Sequence, residues 1–331
     1  MDMLDFGDTL RQEVGIRPTQ TFRNVVALIM LITALIGVIM NTLVIAAMWG
    51  RNLENSGYLK IIVVKAMAND IICIGYLVWP VPVTYLDNYF LPTYFNTFMG
   101  QLLGWFAWTL GPLTQLLMNG NRVMAVIYPA YFSKSFSFNA TNITLSICFL
   151  ISGSLFTVGM IFDTCRYNFQ RTLIGWIHMD TNCGNNLARA CVAAMFIIIA
   201  ISNFFNFSIF IKLTTFSQSL SNVQASMRRR RQRIMLIQSV SQDLLIVLDT
   251  FDTTVTSRHH QVTQFLTMSY SMVFFRTLEG FIFLTMNERI RDEVKRLLRT
   301  ISTYRKSSRI TRPPTNPLTL FVKSARSSKS F

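Results

Sequence analysis

Residues 27–48 read ALIMLITALIGVIMNTLVIAAM, a run of 22 residues without a single charged side chain. At about 1.5 Å of rise per residue, a helix of this length crosses the roughly 30 Å hydrocarbon layer of a bilayer. Working outward from it, apolar windows of spanning length cover residues 25–48, 58–80, 98–127, 141–162, 190–211, 234–256 and 264–286. The stretch CVAAMFIIIAISNFFNFSIFI at 191–211 is as apolar as the first, whereas the window at 234–256 carries Asp243, Asp249 and Asp252. That helix crosses lipid only if the three carboxylates face protein or water, so a six-helix count with both termini on one side stays open. Composition points the same way: 51% of the 331 residues are hydrophobic and only 14% charged, with a mean hydropathy of +0.37. An ordinary globular chain carries about 25% charged residues, and a soluble enzyme is excluded. The expected fold class is all-α, a seven-transmembrane helix bundle.

The net charge of +15 would suggest nucleic acid in a soluble protein, but the positions of the charges argue otherwise. Of the 31 Lys and Arg residues, 22 fall on one side of the spans, in or beside segments 49–57, 128–140, 212–233 and the chain after 287. Seven fall on the other side, and Lys65 and Arg276 lie inside windows. Cytoplasmic loops collect positive charge, so residues 1–24 are expected outside, as an extracellular N-terminus without a cleavable signal peptide, and the tail inside. The seven-transmembrane domain then occupies 25–286. The stretch NERIRDEVKRLLRTI at 287–301 places Ile290, Val294, Leu297, Leu298 and Ile301 at helical spacing among basic residues, which predicts a short amphipathic helix on the inner membrane face. Residues 302–331, rich in Ser, Arg and Lys with Pro313 and Pro314, read as a disordered basic cytoplasmic tail. No nucleic acid partner is implied, and the bilayer itself is the main one.

Cys73, Cys148 and Cys191 sit in or at the edge of spans, where a small apolar side chain suffices as an explanation. Cys165 and Cys183 lie 18 residues apart in the longest outer segment, 163–189, where an oxidising compartment favours a bridge. Two free thiols, or a bond from one of them to a helix top, are the alternatives. No cysteine follows Cys191, so the amphipathic helix lacks a palmitoylation site.

The run NGNRVMAVIYPAYFSKSF at 119–136 resembles the Arg-containing motif and following Pro of rhodopsin-like G-protein-coupled receptors, and more closely the nematode chemoreceptors called serpentine receptor class X. Gly37-Val-Ile-Met-Asn41, Asn69-Asp70, the Arg-rich entry to the sixth window, Glu279-Gly280 and Asn287 fall in register with it, as do the paired outer cysteines and the Cys183-Gly184 step. The resemblance covers about residues 25–300. It implies a chemosensory receptor in the plasma membrane, in sensory cilia, that takes a small-molecule or peptide ligand from outside and signals to a heterotrimeric G protein. Arg122 and Asn121 would then act in coupling and activation, with Arg228, Arg229 and Arg230 contributing to docking. Asn121 stands where the wider family carries an acid, so the ionic restraint that acid provides is missing. The middle of the fourth window has no Trp, the fifth no Pro, and the top of the third no Cys, while Glu279-Gly280 replaces the common Asn-Pro.

The polar residues inside the windows are costly in lipid and therefore informative. Gln238, Gln242, Asp249 and Asp252 fall within about 80° of one another on a helix and form one stripe toward the bundle interior. Asp243 lies at a depth close to that of Arg276, which gives a candidate intramembrane ion pair, although Arg276 also has Glu279 three residues on. Asn41, Asp70 and Glu279 share a depth and form a candidate polar core. The resemblance implies a sodium site near Asp70, but no metal-ligand set is expected. Gln101, Trp105, Trp108 and Thr109, facing Asp249, Asp252 and Tyr270, are the candidate ligand pocket, and its acids favour a cationic or hydrogen-bonding ligand. His178, His259 and His260 all fall in outer loops and gather no metal site. No phosphate loop or nucleophile elbow is present, no cofactor is expected, and the chain is not read as an enzyme. A retinal pump would need a lysine in 264–286, which has none. An inverted ligand-gated channel is opposed by the charge count. An ion- or proton-coupled transporter is the alternative function, and the absence of internal repeats lowers it.

Overall fold

The computed structural model describes residues 18–49, 57–127, 138–215, 223–255 and 265–310. The first span is Gln20–Trp49. The second, Gly57–Val78, continues through Trp79 into the short helix Pro80–Leu86. The third is built from Thr93–Gly100, a π-helical stretch Gln101–Ala107, and Trp108–Ile127. Phe138–Ile161, Asn182–Thr215 and Val223–Val255 are the fourth, fifth and sixth. A π turn, Leu266–Tyr270, opens the seventh, which continues as Ser271–Met286. Together these form the all-helical bundle of seven that the sequence predicts. Among the described residues, five helices are long and apolar enough to cross a membrane by length and hydropathy: the first, second, fourth, fifth and sixth. The third and seventh fall outside that set because π segments interrupt them and polar side chains line them, Gln115, Asn119, Asn121 and Arg122 in one, Arg276 and Glu279 in the other.

The bundle is apolar outside and polar inside. Leu28, Ile32, Leu35 and Ile39 of the first span face outward, as do Ile197, Phe204, Phe207 and Phe210 of the fifth. These rows serve as the lipid-facing surface. The sixth span shows how a helix with three acids crosses: Ile237, Val240, Leu244, Leu248 and Phe251 repeat every three or four residues on the exposed side. Gln238, Gln242, Asp243 and Asp249 are buried on the other side.

The segment between the fourth and fifth spans is more ordered than a plain loop. Tyr167–Gln170 and Gly175–His178 pair antiparallel, Tyr167 opposite His178 and Gln170 opposite Gly175, to form a hairpin laid across one end of the bundle. The disulfide Cys165–Cys183 ties the base of the hairpin to the first turn of the fifth helix. At the opposite end, Asn287 breaks the seventh span and accepts a hydrogen bond from the Ile290 amide at 3.3 Å. The helix Glu288–Ile310 then begins, with Ile290 buried against Val44 and Phe283. Its length corrects the expected limits of 287–301: the helix runs to Ile310, into residues assigned to a disordered tail. Residues 1–17, 311–331, His259 and His260 lie outside the described residues, as do the side chains of Arg228 and Arg229; Arg230 is exposed.

Candidate functional site

Below the hairpin lies a cavity of about 190 Å³, walled by Trp105, Trp108, Tyr167, Trp176, Cys191 and Met272, with Asp249 among its lining residues. Its rings are held from behind. Trp176 Nε1 donates to the Tyr76 hydroxyl at 3.0 Å, and that hydroxyl donates to the Ser269 carbonyl at 2.7 Å. Tyr167 stacks on Trp176, with ring centroids 6.0 Å apart, and tilts against Trp105 at 5.4 Å. Burial, and then the nearby Asp249 carboxylate, pushes the Tyr167 phenol above its ordinary pKa, so it stays protonated.

The hairpin is fastened to the third span without a covalent bond. Asn96 Nδ2 donates to the Phe169 carbonyl at 3.0 Å, and its Oδ1 accepts from the Phe169 amide at 3.1 Å and from Trp79 Nε1 at 2.7 Å. This amide copies a strand pairing and compensates for the cysteine missing from the top of the third span. Gly100 permits the approach, because a Cβ there would overlap the Tyr167 carbonyl oxygen.

Of the expected pocket residues, Trp105, Trp108 and Asp249 line the cavity. Gln101 is buried beneath the hairpin and donates to the Tyr167 carbonyl at 3.4 Å. Tyr270 stacks on Phe274 and accepts from Thr33 Oγ1 at 3.4 Å, which turns it toward the first span. Asp252 is half-buried and is not among the lining residues, and neither is the buried Thr109.

From the cavity floor a chain of polar contacts runs through the bundle. Trp108 Nε1 donates to Asp249 Oδ2 at 2.8 Å, and Arg276 Nη2 meets the same oxygen at 2.5 Å. Arg276 Nη1 lies 3.2 Å from Glu279 Oε1, and Lys65 Nζ lies 3.5 Å from that oxygen. Lys65 donates to Gln115 Oε1 at 2.6 Å, and Gln115 Nε2 donates to Asp243 Oδ1 at 3.0 Å. Asp243 Oδ2 accepts from Ser202 Oγ at 2.8 Å, Asn206 Nδ2 at 2.6 Å and Asn119 Nδ2 at 3.2 Å. Ser239 in turn donates to Asn119 Oδ1. Asn206 also lines a small cleft with Arg122, Met235 and Leu236 at the far end.

The expected Asp243–Arg276 pair is therefore corrected: Arg276 takes Asp249 and Glu279, and Asp243 takes neutral donors. Side chains on a helix lean toward its N-terminus. The seventh span starts at the hairpin end, so Arg276 leans up to Asp249. The sixth starts at the other end, so Asp243 leans away. Lys65, Asn69, Gln115, Asn119, Ser202 and Asn206 were not among the predicted site residues. Lys65 had a legible signal, a charge inside an apolar window.

The expected polar core is only partly assembled. Asn69 Nδ2 bridges Asn41 Oδ1 at 3.3 Å and Glu279 Oε2 at 3.0 Å. Gly280 makes room, since a Cβ there would lie 2.9 Å from Asn41 Oδ1. Asp70 instead accepts from Thr42 Oγ1 at 3.0 Å, so the acids do not converge on one point. Among the described residues no three His, Cys, Asp or Glu side chains gather to hold a metal ion. At the far end, Arg122 donates to the Met235 carbonyl at 3.0 Å and the Tyr58 hydroxyl at 2.9 Å, spanning from the second helix to the sixth. Asn121 is buried beside it, and no acid pairs with Arg122 among the described residues.

Residues 31–287 match the family model described as serpentine type 7TM GPCR chemoreceptor Srx. The chain belongs to that family. In structure this Srx receptor is similar to squid rhodopsin, solved by crystallography, with a TM-score of 0.62 and 14% identity over 86% of this chain and 88% of that one. At that identity the likeness shows the shared fold alone. No curated protein matches the Srx sequence.

Proposed function

We propose that this receptor resides in the plasma membrane with its hairpin end outside, binds a ligand in the cavity under the hairpin, and signals to a heterotrimeric G protein at the Arg122 end. The observation that carries the reading is the unbroken polar path from Asp249 at the cavity floor to Asn206 beside Arg122. A ligand that moves the sixth span at one end thereby alters the contacts that hold it at the other, and binding favours whichever arrangement it fits better.

We read the Arg122 end of this arrangement as closed. Arg122 bridges to Met235, and Asp243 ties the sixth span to the third and fifth, a restraint that stands in for the acid absent at Asn121. Opening would free Arg122 to meet the partner, with the basic run at 228–230 contributing to docking. Ligand-dependent nucleotide exchange on a G protein, measured with purified receptor, tests the assignment, and Arg122→Ala at equal receptor concentration should reduce it at least tenfold. Wild-type exchange in that variant would reject the role of Arg122. Saturable uptake with no exchange would replace the receptor reading with a transporter.

A further inference from the structure

The cavity's chemistry narrows the ligand, given the receptor reading above. Among the described residues Asp249 is the only acid lining the cavity, and its charge is already answered. Arg276 lies 2.5 Å from Asp249, Glu279 lies 3.2 Å from Arg276, and Lys65 lies 3.5 Å from Glu279. Two acids and two bases in one buried row carry no net charge. A ligand ammonium would have to compete with an Arg276 that is 1% exposed and fixed in place, and a ligand carboxylate would face Asp249 directly. Among the lining residues only His178 could answer a carboxylate, and its Nε2 already meets Asn185 Oδ1 at 2.9 Å, so either ligand would leave water without a free counter-charge, which is strongly unfavourable. Of the cationic and hydrogen-bonding ligands that the sequence leaves open, this row favours the hydrogen-bonding one.

Both contacts to Asp249 converge on Oδ2. Among the described residues Oδ1 accepts no hydrogen bond, which leaves an acceptor at the floor of a cavity walled by aromatic rings. The volume, about 190 Å³, is somewhat larger than a cavity of about 150 Å³ that admits benzene. We propose that the cavity binds a neutral aromatic molecule of one or two rings that donates one N–H or O–H hydrogen bond to Asp249. Its faces pack against Trp105, Trp108, Tyr167 and Trp176, which the hairpin and Tyr76 hold in position before the ligand arrives.

The test uses full-length receptor in lipid nanodiscs and the shift of its thermal unfolding midpoint with ligand concentration. Two matched series are compared: indole, 1-methylindole, tryptamine and indole-3-acetate; then phenol, anisole, benzylamine and benzoate. The neutral donors, indole or phenol, should raise the midpoint, while the methylated and charged members of the same series bind at least about tenfold more weakly, as expected for a lost hydrogen bond to a charged acceptor. Ala188→Phe places a ring in the cavity and should abolish the shift. Its ligand-free midpoint reports whether it folds, and Val192→Phe serves if it does not. The proposal is overturned if tryptamine, benzylamine or a carboxylate matches the neutral donor, if no member of either series shifts the midpoint, or if the shift survives the filled cavity. G-protein exchange is read separately. Binding with this selectivity but no exchange would sink the receptor reading and leave the ligand class standing, whereas exchange driven by a charged ligand would do the reverse.

Discussion

Asp243 and Asp249 share the buried face of one helix yet are held by opposite means. Asp249 meets a guanidinium that is itself paired to Glu279, so its charge is cancelled within the membrane. Among the described residues Asp243 touches no cation. Its contacts are amide and hydroxyl donors from Gln115 and Asn119 of the third span and Ser202 and Asn206 of the fifth. An ion pair tolerates some misalignment because Coulomb attraction falls slowly with distance, whereas hydrogen bonds weaken steeply with angle and reach. The outer carboxylate is thus suited to shaping a cavity floor, and the inner one to registering a small shift of three helices.

Breaking the ionic side should have the larger effect. Arg276→Ala leaves Asp249 and Glu279 buried without their common partner, a loss of about 3–5 kcal/mol for such sites. It is expected to deplete receptor from the cell surface and lower the unfolding midpoint; normal surface expression would show that the row is not a unit. Asp243→Asn keeps the shape but removes the charge the donors converge on. It should weaken the closed state by about 1–2 kcal/mol, roughly five- to thirtyfold in the closed-to-open ratio, and so raise ligand-free nucleotide exchange with surface level retained. Unchanged basal exchange would show that the neutral cage does not restrain the sixth span. Ser202→Ala removes one donor among several and should give the same change at about 1 kcal/mol or less, read as a smaller rise in the same assay.

The fold was legible because a bilayer demands long apolar runs, and the runs at 27–48 and 191–211 have no other use. The two outer cysteines were legible as a pair by compartment and position. The partner of Arg276 was not, since periodicity gives the face and depth of a Cα but not the lean of a long side chain. Asn96 left no trace: one amide beside a loop looks the same whether or not a strand lies against it. The π turns at 101–107 and 266–270 likewise have no pattern in the residues that form them. Lys65 is the exception, a buried cation that an apolar context had already marked.

The hairpin is bonded covalently on one side and by an asparagine on the other. Exchange of Cys165 and Cys183 for serines would leave its margin next to the fifth helix on the His178–Asn185 contact at 2.9 Å, while Asn96 keeps the opposite margin on the third. The lid would then swing like a door rather than detach, and the cavity would open on the side where Cys191 and Val192 form its wall.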